Sequence, residues 1–195
     1  MKTTSLFRLG GIAVLLPAIL YGINSLIHFL SGQEPTALVF WIAIFADAFF
    51  VLGLGALFAR QSQRGGILGL VGYVILVWAR MYFAASDAVS LGVLAGVISN
   101  EEIAQVPSYA LSSPIMPWVW AAGLVIFGIS IYRAQVFPKY AGALLVLVGL
   151  LQPLTGPLAF ARPIYALCYF VAWAWLGWIL LMDKGIVSRE PIPGT

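Results

Sequence analysis

Long apolar runs make up most of this chain, and short polar stretches separate them. A helix needs about 20 apolar residues to cross a bilayer. Six runs meet or approach that length, and they cover residues 9–30, 37–59, 66–85, 117–132, 140–160 and 164–182. The pattern predicts an all-α integral membrane protein, with a bundle of six transmembrane helices in a single transmembrane domain, residues 1–195.

The only long connection between these runs covers residues 86–116. Its weakly apolar piece, residues 89–98, has about half the length of a membrane span. Ser99 and Glu102 follow with the spacing of a capping box, which marks the start of a helix. We expect a short surface helix there, stopped by Pro107, within a long loop that lies on the membrane surface or enters it in part.

Basic residues predict how the bundle is oriented. With six spans, eight of them fall on one side: Lys2, Arg8, Arg60, Arg64, Arg133, Lys139, Lys184 and Arg189. The other side carries Glu34, Asp87, Glu101 and Glu102, with Arg162 as its basic loop residue. Lysine and arginine collect in cytoplasmic loops. The expected topology is therefore N-in and C-in with the long loop outside, and a bacterial inner membrane fits this pattern.

The composition agrees with a membrane location and argues against a nucleic-acid partner. Hydrophobic residues make up 62% of the chain and charged residues only 9%, whereas about a quarter of a soluble domain is charged. The net charge of +3 comes from basic residues in short turns, which the topology explains. The lipid bilayer is the expected partner.

Two charged residues lie inside apolar runs, Asp47 in the second and Arg80 in the third. A charge at membrane depth costs at least a few kcal/mol, so such residues usually face a partner, a cavity or a pathway. The basic turn 60–64 makes these runs antiparallel neighbours. Asp47 and Arg80 would then lie about 15 Å and 9 Å from the outer ends of their helices, close enough to form an ion pair.

Other polar and aromatic groups are expected in the same outer half. In the first helix Tyr21, Asn24 and His28 share one stripe, and Pro153 and Pro157 should unwind the fifth helix beyond Gln152. The predicted ligand-binding residues are Asn24, His28, Asp47, Arg80, Gln152, Tyr169 and Trp173. Tryptophans and tyrosines near helix ends are assigned to an aromatic belt at the interface, namely Trp41, Trp118, Trp120 and Tyr165.

Small residues recur at helical spacing in the third helix, at Gly65, Gly69 and Gly72, and in the first, at Ala18 and Gly22. Such stripes allow helix backbones to approach closely. Packing within the chain is favoured over a dimer interface.

Several membrane chemistries lack the residues they require. With one histidine, His28, and one cysteine, Cys168, the chain cannot supply a bis-histidine haem or a metal site built on histidine and cysteine clusters. The sixth run has no interior lysine for a retinal Schiff base, and there is no P-loop, G-x-S-x-G or H-E-x-x-H motif. We predict no cofactor, no metal and no catalytic residues, and an enzyme is the less favoured class.

The favoured function is a small multi-pass membrane protein that binds or passes a small or lipophilic molecule through an outward-facing polar pocket. Arg80 would take an anionic group of that ligand, with Asp47 as its counter-charge until the ligand arrives. The alternative is a non-catalytic accessory or assembly subunit of a larger membrane protein complex, which would use its tryptophan-rich faces and the long loop as contacts.

In size and six-helix plan the chain is similar to the substrate-binding components of energy-coupling-factor vitamin transporters. That resemblance implies a ligand held in the outer half. It does not extend to their alanine-based coupling motif, because Pro17 follows Ala13 at the corresponding spacing.

Overall fold

The computed structural model describes residues 3–31, 36–158 and 160–182, with side chains for residues 5–24, 36–158 and 160–182. The described residues form helices joined by short turns, with no strand among them, as predicted. Its elements are α1 (Thr3–Ser31), α2 (Ala37–Leu94), α3 (Asn100–Ala104), α4 (Pro107–Ala134), α5 (Lys139–Leu151), a 3-10 turn (Gln152–Leu154) and α6 (Ala161–Met182). Four of these helices, α1, α2, α4 and α6, are long and apolar enough to cross a membrane. α2 doubles back on itself and therefore forms two arms. Together with α1, α4, α6 and the shorter α5, these arms make six helical segments.

The two arms of α2 meet at Gly66, which has φ 55° and ψ −154°. Essentially only glycine adopts this conformation. The first arm (37–65) and the second arm (67–94) run antiparallel, as the stacked rings of Phe58 and Tyr73 show, with centroids 4.8 Å apart. The predicted turn at residues 60–64 was wrong, because those residues are helical and the chain reverses only at the glycine.

The predicted long loop 86–116 was also wrong. Residues 86–94 continue the second arm of α2, and residues 107–116 belong to α4. The number of apolar residues in a run limits how much of a helix can lie inside a membrane. The helix itself can continue through the polar residues that follow the run. Pro107 is the first residue of α4, a position where its missing N–H costs no hydrogen bond.

The predicted capping box and short helix are present between α2 and α4. The Glu102 backbone N–H donates to Ser99 Oγ over 3.1 Å, and the Ser99 backbone N–H donates to Glu102 Oε2 over 2.8 Å. These bonds start α3, as the spacing indicated. The Ser99 backbone N–H, and then its hydroxyl, hold the pKa of Glu102 below its ordinary value.

The predicted break beyond Gln152 is present, so the fifth helix is shorter than the run 140–160. α5 ends at Leu151 and passes into a 3-10 turn that includes Pro153. The Thr155 carbonyl accepts a hydrogen bond from Arg162 Nε over 3.0 Å. An arginine at the start of α6 thus satisfies a backbone carbonyl in this irregular segment.

The long helices pack into a closed ring. Its order is α1, the first arm of α2, the second arm, α4, α5 and α6, which packs back onto α1. Glycines lie at the helix crossings. A Cβ on Gly72 would lie 2.7 Å from the backbone nitrogen of Phe127 in α4, and one on Gly11 would lie 2.5 Å from the backbone nitrogen of Leu181 in α6. The Gly69 and Gly72 stripe therefore packs within the chain.

The outer surface of the ring is apolar. Among its most exposed side chains are Ile67, Leu38 and Leu52, at 81%, 68% and 67% exposure. A monomeric soluble protein rarely exposes so extensive an apolar surface, whereas lipid tails are a suitable solvent for it. The exterior and the four long apolar helices both indicate a membrane location.

Candidate functional site

Asp47 and Arg80 form an ion pair inside the ring. Arg80 Nη1 lies 2.9 Å from Asp47 Oδ1, and the two residues are 6% and 1% exposed. At 1.5 Å per residue, Asp47 and Arg80 lie about 28 Å and 21 Å along their arms from Gly66. The length of the arginine side chain bridges the difference. The pair predicted from the two apolar runs is therefore present.

Two tyrosines connect this pair to the neighbouring helices. The Tyr21 hydroxyl of α1 donates to Asp47 Oδ1, and Arg80 Nη2 donates to the Tyr169 hydroxyl of α6. Three elements, α1, α2 and α6, thus converge on one buried charge pair. Within the described part of the chain, Asp47 Oδ2 and Arg80 Nε have no hydrogen-bond partner.

Five aromatic rings surround the Arg80 guanidinium. Its Cζ lies 4.0 Å from the ring centroid of Trp120, 4.5 Å from Phe50, 4.9 Å from Tyr21, 5.6 Å from Tyr169 and 6.0 Å from Phe83. A cation near an aromatic face gains about 0.5–2 kcal/mol, most where water is excluded. These rings and Asp47 together offset the cost of removing the guanidinium from water.

A pocket adjoins this cluster on the side of α1 and α6. Its volume is about 140 Å³, and its walls are Tyr21, Gly22, Arg80, Tyr165, Ala166 and Tyr169. An apolar cavity of about 150 Å³ holds a benzene molecule. Arg80 and Tyr169 belong to both the ion-pair cluster and the pocket wall, so a molecule in the pocket would lie against the buried charge pair.

The structure brings together four of the seven predicted ligand-binding residues. Asp47, Arg80 and Tyr169 form the hydrogen-bonded cluster described above. The ring of Trp173 packs against Tyr169 and Phe50, with centroids 6.2 Å and 4.6 Å away. Its buried Nε1 has no partner among the described side chains.

Of the other three predicted residues, Asn24 and Gln152 are not part of the pocket wall, and the side chain of His28 is not described. Asn24 is half-buried on α1, about one turn beyond Tyr21, and is not part of the pocket wall. Gln152 lies in the 3-10 turn with its Oε1 buried. His28 lies in α1, but its side chain is outside the described residues.

The assignment of Trp120 and Tyr165 to an aromatic belt was wrong. Trp120 is only 2% exposed, and its Nε1 donates to the Tyr165 hydroxyl over 3.3 Å. Tyr165 lines the pocket. The other two tryptophans of the predicted belt, Trp41 and Trp118, are more than half exposed.

Sequence reasoning also omitted Tyr21, Phe50 and Phe83 from the site. A usable signal was present for two of them, because each follows a buried charge by three residues, Phe50 after Asp47 and Phe83 after Arg80. Residues at that spacing share a helix face. Aromatic residues at this distance from a charge in an apolar run are therefore candidates for its surroundings.

Comparison of the chain with protein-family models, with curated proteins and with solved structures gives no match. The similarity in plan to vitamin-transporter components gains no support from these comparisons. The fold and surface define a class, a helical protein suited to a membrane, and any narrower function has to be inferred from the Arg80 pocket itself.

Proposed function

We propose that this chain is a multi-pass protein of a bacterial inner membrane that binds a small or lipophilic molecule in the pocket beside Arg80. Both termini lie on the cytoplasmic side, and the pocket opens toward the outside. The observation that carries the proposal is a buried, ion-paired arginine that also forms part of a pocket wall.

An ion pair that served only to join two helices would need no space beside it. Here about 140 Å³ lies next to the pair, walled by Arg80 and three tyrosines. Ligand sites are typically concave and largely apolar, with a few convergent polar groups that fix orientation. The Arg80 pocket is concave and has such convergent polar groups, and the Nε–H of Arg80 forms no hydrogen bond within the described structure.

The position of basic residues supports the outward orientation. Arg60 and Arg64 lie near the bend at Gly66, and the Asp47–Arg80 pair is about 20–30 Å from that bend along the two arms. Cytoplasmic ends of membrane helices carry the excess of arginine and lysine. With the bend in the cytoplasm, the pocket falls in the outer half of the membrane.

Cysteine accessibility tests this arrangement. In a Cys168→Ala background, the change Ala166→Cys places a thiol in the pocket wall. We expect a membrane-impermeant thiol reagent to modify it from outside intact cells. After detergent extraction, the reaction should be faster once bound small molecules are washed away, because they shield the wall.

Ser62→Cys in the same background is the matched control. Ser62 is exposed near the bend, so it should react only after the cells are permeabilised. Reaction of the Ala166→Cys protein only after permeabilisation would contradict the outward orientation. A thiol at this position that never reacts, even in washed detergent-solubilised protein, would contradict the pocket.

A further inference from the structure

We infer that the pocket selects a neutral, ring-sized molecule carrying a hydrogen-bond acceptor, such as a carbonyl oxygen, and disfavours anions. This inference rests on the proposed function, and it differs from the anionic ligand that the sequence predicts. It follows from three properties of the site: the hydrogen-bond donors in the pocket wall, the charges of the Asp47–Arg80 pair, and the size of the pocket.

The tyrosine hydroxyls of the wall act largely as donors toward a ligand. Tyr169 accepts a hydrogen bond from Arg80, and Tyr165 accepts one from Trp120 over 3.3 Å. A hydroxyl has a single hydrogen, and within the described structure neither of these two hydroxyl hydrogens is used in another bond. Both are therefore available to an acceptor in the pocket.

The remaining polar groups of the wall agree with this assignment. Arg80 is a donor only, and its Nε has no partner among the described residues. The Tyr21 hydroxyl gives its hydrogen to Asp47, and that carboxylate is not part of the wall. A ligand thus meets two free hydroxyl donors, from Tyr165 and Tyr169, and needs acceptor atoms to satisfy them.

The charge at the site disfavours an anion. Asp47 already neutralises Arg80 over 2.9 Å, and Asp87 follows Arg80 by two turns of the same helix, about 10 Å along its axis. Bringing an anion next to this pair would bury an excess negative charge, which costs several kcal/mol in a medium of low polarity. A neutral acceptor adds no charge beside the pair.

The shape of the pocket limits the size of the ligand. Its volume of about 140 Å³ is close to that of a cavity that holds benzene. Tyrosine rings form much of the wall, and a Cβ added to Gly22 would lie only 3.1 Å from Phe170. A single ring with a carbonyl substituent therefore fits the space and its donors.

Three compounds of nearly the same shape separate these possibilities: acetophenone, a neutral carbonyl; benzoate, its anionic counterpart; and α-methylstyrene, in which a methylene group replaces the carbonyl oxygen. Their binding to detergent-solubilised protein can be followed through the indole N–H resonances of Trp120 and Trp173 in protein labelled with ¹⁵N-tryptophan. We expect acetophenone to bind at least about tenfold more tightly than either of the others. α-Methylstyrene would leave the buried donors unpaired, and benzoate would add a negative charge beside the Asp47–Arg80 pair.

Tyr165→Phe removes one of the donors and should weaken acetophenone binding severalfold while leaving α-methylstyrene binding unchanged. Tyr73→Phe is the matched control. Tyr73 stacks on Phe58 near the α2 bend, so its replacement should change neither affinity. Comparison of variants in the same detergent also cancels the partitioning of each compound into micelles.

The alternative results are distinct. Tightest binding of benzoate at neutral pH, where this compound is ionised, would overturn the neutral-ligand inference and leave the proposed binding function in place. Equal binding of acetophenone and α-methylstyrene would show an apolar slot and overturn the acceptor requirement. No resonance shift with any compound, from a protein that also purifies without a bound small molecule, would contradict the proposed function itself.

Discussion

Asp47→Asn is expected to destabilise the bundle by about 3–5 kcal/mol, because it leaves the Arg80 guanidinium buried without a counter-charge. Arg80 is 6% exposed and its carboxylate partner is 1% exposed, so water in the adjoining pocket reaches only a small part of the guanidinium and cannot replace the lost charge. Asparagine keeps the size of the side chain and an oxygen for Tyr21 and Arg80. The loss therefore reports mainly the charge. The measurement is the free energy of unfolding in mixed micelles as the fraction of sodium dodecyl sulphate rises.

The matched control removes both charges in the variant Asp47→Asn, Arg80→Met. A buried ion pair can be replaced by neutral residues of similar volume at little cost, whereas removal of one partner is strongly destabilising. We expect the double variant to recover most of the stability lost in Asp47→Asn. An Asp47→Asn protein within about 0.5 kcal/mol of the wild type, the usual range for a surface substitution, would show that Arg80 does not depend on Asp47.

Gly66→Ala is expected to cost about 1–3 kcal/mol, the strain of placing a non-glycine residue in a conformation that essentially only glycine adopts. The backbone at Gly66 has φ 55° and ψ −154°. No atom lies within 4 Å of a Cβ built there, so the effect comes from the backbone and not from a clash. The same unfolding titration measures it.

Gly156→Ala is the control for Gly66→Ala. An added Cβ at Gly156 also meets no atom within 4 Å, but Gly156 does not have a positive φ. A glycine-to-alanine change in a compatible conformation is neutral or stabilises by about 0.4–1 kcal/mol through the unfolded state. Equal stabilities of the two variants would contradict a chain reversal that depends on Gly66.

The parts of the fold that were predictable depend on local rules. A run of apolar residues indicates a helix that suits a membrane, and Ser99 and Glu102 form a capping box because their spacing allows it. The Asp47–Arg80 pair was predictable for a related reason. Two opposite charges in adjacent apolar runs have few other ways to be neutralised.

The bend and the surroundings of Arg80 were not predictable in the same way. Residues 60–64 are polar, but polar residues are compatible with a helix, so they did not show where the chain reverses. That depends on the backbone of Gly66. Trp120 was misassigned because α4 is apolar on every side, and the sequence of such a helix does not show which face points into the ring.

The binding claim is tested most directly by native mass spectrometry of the protein released from a gentle detergent. The informative variant is Ala166→Phe, which fills the pocket and leaves Asp47 and Arg80 in place. Its control is Leu167→Phe, because Leu167 is 63% exposed on the neighbouring, lipid-facing side of α6.

We expect the wild type and Leu167→Phe to carry a small molecule of one reproducible mass, and Ala166→Phe to have lost it. The same mass on all three proteins would place its site elsewhere. A wild type that carries no small molecule and instead retains other polypeptides would contradict the pocket as the basis of function and favour an accessory subunit of a membrane complex.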